Sequence, residues 1–451
     1  MTIQLQELPL LTDLYELTMA QSYFQEKHND PATFSLFIRK YPPHRGYFVS
    51  CGLEGLLRYL EEFHFSAEAI DKLHRCGIFA DSFLEHLKTL RFSGEVRAIP
   101  EGRLFFRDEP VLEVTAPIIE AQLVETLIIN QMNLQVLIAS KAARCVQAAR
   151  GRQVIDFSLR RTQGLDAGMM VARASYMAGA AATSNVLAGV TYNIPISGTM
   201  AHSYISSYDQ ELEAFRAFVK DFPDRSILLI DTYDTIAAAH KAVQVAREMN
   251  ARGQHLQGVR IDSGDLLALG RKVRRILDEA GFPEVQIIGS GGLDEFDLEE
   301  LSRQNAPYNA YGVGTKMGVS GDAPWTDMAY KLVSYGNLPV LKLSVDKVSL
   351  PGAKQVFRFM EAGKLHHDVI ALLEETAEGG QPLLQTVMEA GRIVGPLPAL
   401  PEIRERFRQE LGQLSDSHRA IRDPELYSVQ LSPGLLGLKK RLENRLTGTE
   451  R

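Results

Sequence analysis

The chain has 451 residues, material for about two to three domains and a large buried core. Hydrophobic residues make up 45% and aromatic residues 8%, a balance that excludes a disordered or fibrous chain. A formal net charge of -7 argues against a nucleic-acid binder working through a broad basic surface.

The N-terminus, M-T-I-Q-L-Q-E-L-P-L-L-T-D, lacks a basic stretch followed by an apolar one, and no segment approaches membrane-spanning length. A cytoplasmic location without membrane contact is expected. Cys51, Cys76 and Cys145 are widely spaced and form no C-x-x-C, so neither a disulfide framework nor a cysteine zinc site is predicted. Residues 32 to 41, A-T-F-S-L-F-I-R-K-Y, read as a strand. Residues 93 to 117 alternate apolar and polar side chains between P-E-G and R-D-E-P punctuation, the pattern of a β-meander. Residues 121 to 150 contain no Gly or Pro and predict one long buried helix.

The middle of the chain repeats one theme: a short aliphatic run, a polar or glycine-rich exit, then a helical stretch. The runs are V-I-D-F (154 to 157), Y-N-I-P-I-S-G-T-M (192 to 200), S-I-L-L-I-D-T-Y-D (226 to 234), G-V-R-I-D-S-G-D (258 to 265), V-Q-I-I-G-S-G-G (285 to 292) and A-Y-G-V-G-T-K (310 to 316). They start about 25 to 40 residues apart, the size of a βα unit. An open doubly wound sheet needs chemically rich exits only at its switch point, whereas a barrel gathers every strand end around one mouth. Nearly every exit here is polar, so the prediction is an α/β fold with a parallel (β/α) barrel. The predicted division is 1–130 for an N-terminal α+β domain, 131–344 for the barrel, and 345–451 for a tail that packs back on the N-terminal sheet.

The exits carry the chemistry. Gly289, Ser290, Gly291 and Gly292 end one strand, and Gly312, Gly314 and Thr315 end another; glycines there let backbone amides approach phosphate oxygens. Neither stretch is a dinucleotide fingerprint or a P-loop. Phe157 with Arg160 and Arg161 suits a planar anionic ring, which can stack on the aromatic and pair with a guanidinium. Arg260 and Asp262, two apart on a strand, face the same side. Turns, helix caps and surface ion pairs are the plainer account of each feature taken singly.

Taken together, T-D-L-Y-E-L-T-M, F-S-L-R-R-T-Q-G, T-S-N-V-L-A-G, G-T-M-A-H-S, I-D-T-Y-D-T, G-V-R-I-D-S-G-D-L, G-S-G-G-L-D and Y-G-V-G-T-K resemble the nicotinate phosphoribosyltransferase family, in order from about residue 10 to about residue 345. The resemblance implies an incomplete α/β barrel beside an α+β domain, a homodimer, and transfer of phosphoribose from phosphoribosyl pyrophosphate to nicotinate with Mg2+ and coupled ATP hydrolysis. It implies that His202 is phosphorylated from ATP, with Asp231 holding its imidazole tautomer. By the same carry-over Phe157 and Arg160 hold nicotinate, Ser184, Gly198 and Ser203 line the pocket, and Arg260 and Asp262 contact the ribose and phosphate end. Ser290, Gly291, Gly292, Gly312, Gly314 and Thr315 cradle the 5'-phosphate, and Asp13 and Tyr15 reach a neighbouring subunit's site. A nicotinamide-using relative remains the nearest alternative, and a noncatalytic phosphosugar-binding protein the alternative from another class. The neutral T-S-N stretch, where the nicotinamide pattern has an aspartate, favours an acid substrate.

Overall fold

The computed structural model describes residues 5–343 and 349–448. The predicted boundary between residues 344 and 345 lies outside them. The chain forms two compact units, one made of the residues up to Leu137 together with those from Trp325 onward, the other of Ile138–Pro324.

The first unit is built on a seven-stranded sheet. One of its inner strands, Pro31–Ile38, pairs antiparallel with Leu112–Pro117 on one side and Met328–Tyr335 on the other. Glu95–Ala98 pairs with Leu112–Pro117, and Gln385–Glu389 then adds to Glu95–Ala98. The expected meander is interrupted, because its middle piece, Leu104–Phe105, pairs instead with Phe48–Val49. Phe34, Leu36, Val96, Leu112 and Val114 from this sheet bury against Leu56, Leu57 and Phe83 from neighbouring helices. The long apolar stretch becomes two helices, Ile118–Leu123 and Glu125–Ala148, broken at Val124.

The second unit contains an all-parallel sheet of β1 (Gln153–Asp156), β2 (Ala182–Thr183), β3 (Ile227–Leu229), β4 (Gly258–Ile261), β5 (Gln286–Gly289) and β6 (Ala310–Val313). The spatial order is β2-β1-β6-β5-β4-β3, an open, curled half-barrel with a small core of Ile155, Ala182, Ile288 and Ala310. The strands are short and mostly apolar because helices cover the sheet, as parallel sheets require.

One predicted strand is displaced. Residues 192 to 200 make only a single parallel bridge, Ile196 to Thr183, and the second strand is Ala182–Thr183. Asn193 takes a left-handed conformation (φ 53) and Pro195 has no N–H to give, so that run cannot continue a ladder.

The helices that return from the strands start at acidic caps. Asp234 accepts from the Ala237 amide at 2.7 Å, Asp265 from Ala268 at 3.0 Å, and Asp294 from Asp297 at 3.1 Å. Each cap stabilises its helix by about 1 kcal/mol. In I-D-T-Y-D and I-D-S-G-D the second acid is thereby committed to the helix, and the first is left for the strand end.

Candidate functional site

A cavity of about 530 Å³ opens at the C-terminal ends of the half-barrel strands. Phe157, Arg160 and Arg161 enter it from the exit of β1, Ser184 from β2, and Arg260 and Asp262 from β4. Ser290, Gly291 and Gly292 follow β5, while Gly312 lies in β6 and Gly314 and Thr315 follow it. Gly198, Thr199, Met200, Ala201 and His202 complete the wall from the segment beside β2.

The β1 and β2 exits are pinned from below by Asp156. Its carboxylate is buried and accepts from the Ser158 hydroxyl at 2.5 Å, the Ser158 amide at 2.9 Å and the Thr183 hydroxyl at 2.8 Å. Burial raises the Asp156 pKa against the pull of these donors. The Asp156 carbonyl also accepts from the Ser184 amide at 2.8 Å, so one residue sets the heights of Phe157 and Ser184.

Gly312 also makes room for Phe157. A Cβ there would meet the Phe157 ring at 2.4 Å, so the aromatic occupies the space that the missing side chain leaves.

The β3, β4 and β5 exits are tied by a chain of acids and hydroxyls. Asp231 Oδ2 accepts from the Ser263 hydroxyl at 2.5 Å and from the Asp262 amide at 3.1 Å. Asp262 Oδ1 accepts from the Ser290 hydroxyl at 2.5 Å, and its Oδ2 lies 4.0 Å from His202 Nε2. Gly291 closes this corner: its φ is +99, and a Cβ would fall 1.7 Å from the Asp262 carbonyl oxygen.

His202 opens a short helix, His202–Ser206, with its side chain 45% exposed. Its Nδ1 lies 3.1 Å from the Thr232 hydroxyl. The contact expected of Asp231 is therefore made by the next residue. The adjacent side chains point to different partners, and the Asp231 carboxylate is turned to Ser263 and Asp262, leaving its Oδ1 buried without a partner.

Arg260 is half-buried, with its guanidinium carbon 5.9 Å from the centre of the Phe157 ring. Burial lowers its pKa, opposed by the charges of Asp262 and Asp231 and reinforced by Arg160.

Four expected residues do not line the cavity, among them Asp231, which lies behind Asp262 and Ser263. Ser203 is exposed on the short helix. Asp13 and Tyr15 belong to the first unit, where Asp13 precedes the helix Leu14–Gln25 and accepts from the Thr126 hydroxyl at 3.2 Å, and Tyr15 is 48% exposed. The sequence reading missed Asp156, Thr199 and Thr232. Asp156 had a usable signal, an acid closing an apolar run with a serine two residues on. Lys316, directly after G-V-G-T, is drawn to Asp294 at 2.9 Å and Asp297 at 3.1 Å and so braces the two glycine exits.

The comparisons with known proteins agree along the chain. The model of the nicotinate phosphoribosyltransferase (NAPRTase) family matches residues 152–335, that of its N-terminal domain residues 10–133, and that of its C-terminal domain residues 380–439. A nicotinate phosphoribosyltransferase of Mycobacterium tuberculosis, pncB2, is 44% identical over 437 residues, covering 96% of this chain and 94% of its own length. One from Bacillus subtilis is 36% identical over 457 residues, covering 94% and 93%. The crystal structure of human nicotinic acid phosphoribosyltransferase superposes with a TM-score of 0.86 at 29% identity, over 96% of this chain and 99% of that one.

Proposed function

The chain belongs to the nicotinate phosphoribosyltransferase family, and we propose that it joins nicotinate to phosphoribosyl pyrophosphate, releasing nicotinate mononucleotide and pyrophosphate for NAD biosynthesis, with ATP cleavage coupled in through His202. The observation that carries this reading is the charge of the cavity. Among the described residues lining it, Arg160, Arg161 and Arg260 stand against one carboxylate, Asp262. An acid and a polyphosphate both suit such a wall, because Arg pairs with either in two-pronged fashion. Nicotinamide suits it less, since Ser184 offers no carboxylate to an amide.

Phe157 and Arg160 then hold the ring and its carboxylate, and the Ser290–Gly292 and Gly314–Thr315 exits hold the 5'-phosphate. Phosphorylation of His202 forms a bond from a ring nitrogen to the γ-phosphorus and breaks the bridging P–O bond, whose electron pair leaves on ADP. The attacking nitrogen must be unprotonated. The Thr232 hydroxyl can both donate and accept, so it can hold the ring before and after attack.

Mg2+ fits the acids present. No cluster of three or more His, Cys, Asp or Glu side chains suited to a metal occurs among the described residues, but Asp262 faces the cavity and Asp231 Oδ1 is buried without a partner. Mg2+ is ordinarily held by one or two carboxylates together with substrate phosphates. Bound there, it would neutralise charge on the phosphate oxygens.

The homodimer is part of the same reading. Leu165, Val186, Leu187 and Val190 are each more than 60% exposed beside the β1 and β2 exits, an apolar surface that a second copy can cover. Asp13 and Tyr15 would complete the partner's site. No helix among the described residues is long and apolar enough to cross a membrane, in keeping with the proposed cytoplasmic location.

The test is product formation by the purified chain with phosphoribosyl pyrophosphate, Mg2+ and nicotinate. Nicotinate mononucleotide and pyrophosphate should appear, faster with ATP and with release of ADP. Absence of product under both conditions overturns the proposal.

A further inference from the structure

The segment that carries His202 also carries Thr199, whose hydroxyl the site described above leaves without a role. Thr199 Oγ1 accepts a hydrogen bond from Arg260 Nη1 at 2.7 Å and approaches the Met200 carbonyl at 3.4 Å. Its proton can go to Met200, and its lone pair faces the guanidinium. Among the described residues Arg260 makes no ion pair, and its Nε is buried without a partner.

A side chain as long as Arg loses much rotamer freedom when it is fixed, so something must hold it. Here the holding group is neutral. A carboxylate in the same place would fix the guanidinium and cancel its charge, whereas a hydroxyl fixes one Nη and leaves the charge and the remaining N–H groups for a ligand. The Phe157 ring on another side narrows the choice of position further.

We propose that Thr199 is a positioning residue for Arg260, orienting its guanidinium toward the phosphoribosyl end of the substrate while leaving its charge intact. This rests on the function proposed above for the cavity. It also links two parts of the site, because Thr199 lies three residues before His202 and ties that segment to β4.

Two substitutions separate this role from mere packing. Thr199→Val keeps the shape and removes the hydroxyl, and Thr199→Ser keeps the hydroxyl. Losing a hydrogen bond to a charged group should raise KM for phosphoribosyl pyrophosphate by about tenfold in Thr199→Val, with KM for nicotinate changed less. Thr199→Ser should stay within about twofold of the parent chain. In an Arg260→Lys background, Thr199→Val should add little, because the contact is already gone. Calorimetric titration with inorganic pyrophosphate supplies a readout that does not need turnover, and Thr199→Val should weaken that binding while Thr199→Ser preserves it. Equal impairment of the two variants, parent-like behaviour of Thr199→Val, or full additivity with Arg260→Lys overturns the proposal. A parent chain that binds pyrophosphate yet makes no nicotinate mononucleotide overturns the proposed function instead, and the calorimetry then decides the role of Thr199 alone.

Discussion

Thr232 and His202 stand 3.1 Å apart, hydroxyl to Nδ1, and the acid that precedes Thr232 is turned away to Ser263 and Asp262. At Nδ1 the histidine is thus held by a neutral group that can reverse its hydrogen bond.

The first prediction follows from that pairing. Incubation with labelled ATP should leave an acid-labile, base-stable phosphate on the protein, because a P–N bond hydrolyses in acid and a serine ester does not. His202→Ala should abolish the label and the ATP stimulation, with slow ATP-independent transfer remaining. Thr232→Val should reduce labelling by about tenfold, the cost of one lost hydrogen bond in the site. Asp231→Asn should act mainly through the β3–β4 corner, lowering affinity for phosphoribosyl pyrophosphate. Undiminished labelling in His202→Ala would leave that histidine a structural residue.

A second prediction concerns the glycine corner. Gly291→Ala puts a Cβ on the Asp262 carbonyl at an unfavourable positive φ, so the loop must move and the Ser290–Asp262 contact with it. The expected cost is about 2 kcal/mol or more of stability and at least a tenfold rise in KM for phosphoribosyl pyrophosphate. Gly55→Ala, in the helix Leu53–Glu61 with no atom within 4 Å of the new Cβ, should be neutral or slightly stabilising. Thermal melts and initial rates of the two variants make the comparison.

How far the sequence disclosed these features depended on how local each one is. The strand exits were legible because short apolar runs closed by Asp, Ser and Gly are local patterns; their spacing gave the βα units, and only the family resemblance implied that the barrel is incomplete. The run at 192 to 200 was misread because its β-branched residues outweighed Asn193 and Pro195, which break the ladder there. Phe157, Arg160, Arg260 and Asp262 were placed in one cavity by strand alternation and resemblance. The partner of His202 was not legible, since whether Asp231 or Thr232 faces it depends on Ser263 and Asp262, about thirty residues away. The packing of Phe157 against Gly312 was not legible, because the ring that fills that space comes from the exit of β1.

A third prediction tests assembly. If Asp13 and Tyr15 act in the partner's site, mixing Tyr15→Ala and His202→Ala chains should restore ATP-stimulated activity that neither has alone, because one of the two sites in a heterodimer is then intact. Activity near a quarter of the parent's is expected from random mixing of the two chains, about half forming heterodimers with one good site each. No recovery after demonstrated subunit exchange would show that each site is built within one chain.

The fourth prediction is a pH dependence of stability. Glu16, next to Tyr15, is fully buried; it accepts from Gln122 at 2.6 Å, and burial foremost raises its pKa to about 7. A carboxyl whose pKa is higher in the folded state binds more protons there, so its contribution is fully present below the unfolded pKa and is lost as pH rises through about 7. Glu16→Gln should therefore flatten the loss of stability between pH 5 and pH 8 and raise the unfolding free energy at pH 8, read from denaturant melts, by about 1–3 kcal/mol. The same pH slope in the variant would refute the assignment to Glu16.

The most direct measurement of the central claim is a competition. The purified chain is given phosphoribosyl pyrophosphate, Mg2+ and ATP with equal concentrations of nicotinate and nicotinamide, and both mononucleotides are quantified by mass spectrometry. A cavity walled by Arg160, Arg161 and Arg260 predicts nicotinate mononucleotide in excess by more than about 100-fold, falling steeply in Arg160→Ala. Comparable amounts of the two products would contradict the account.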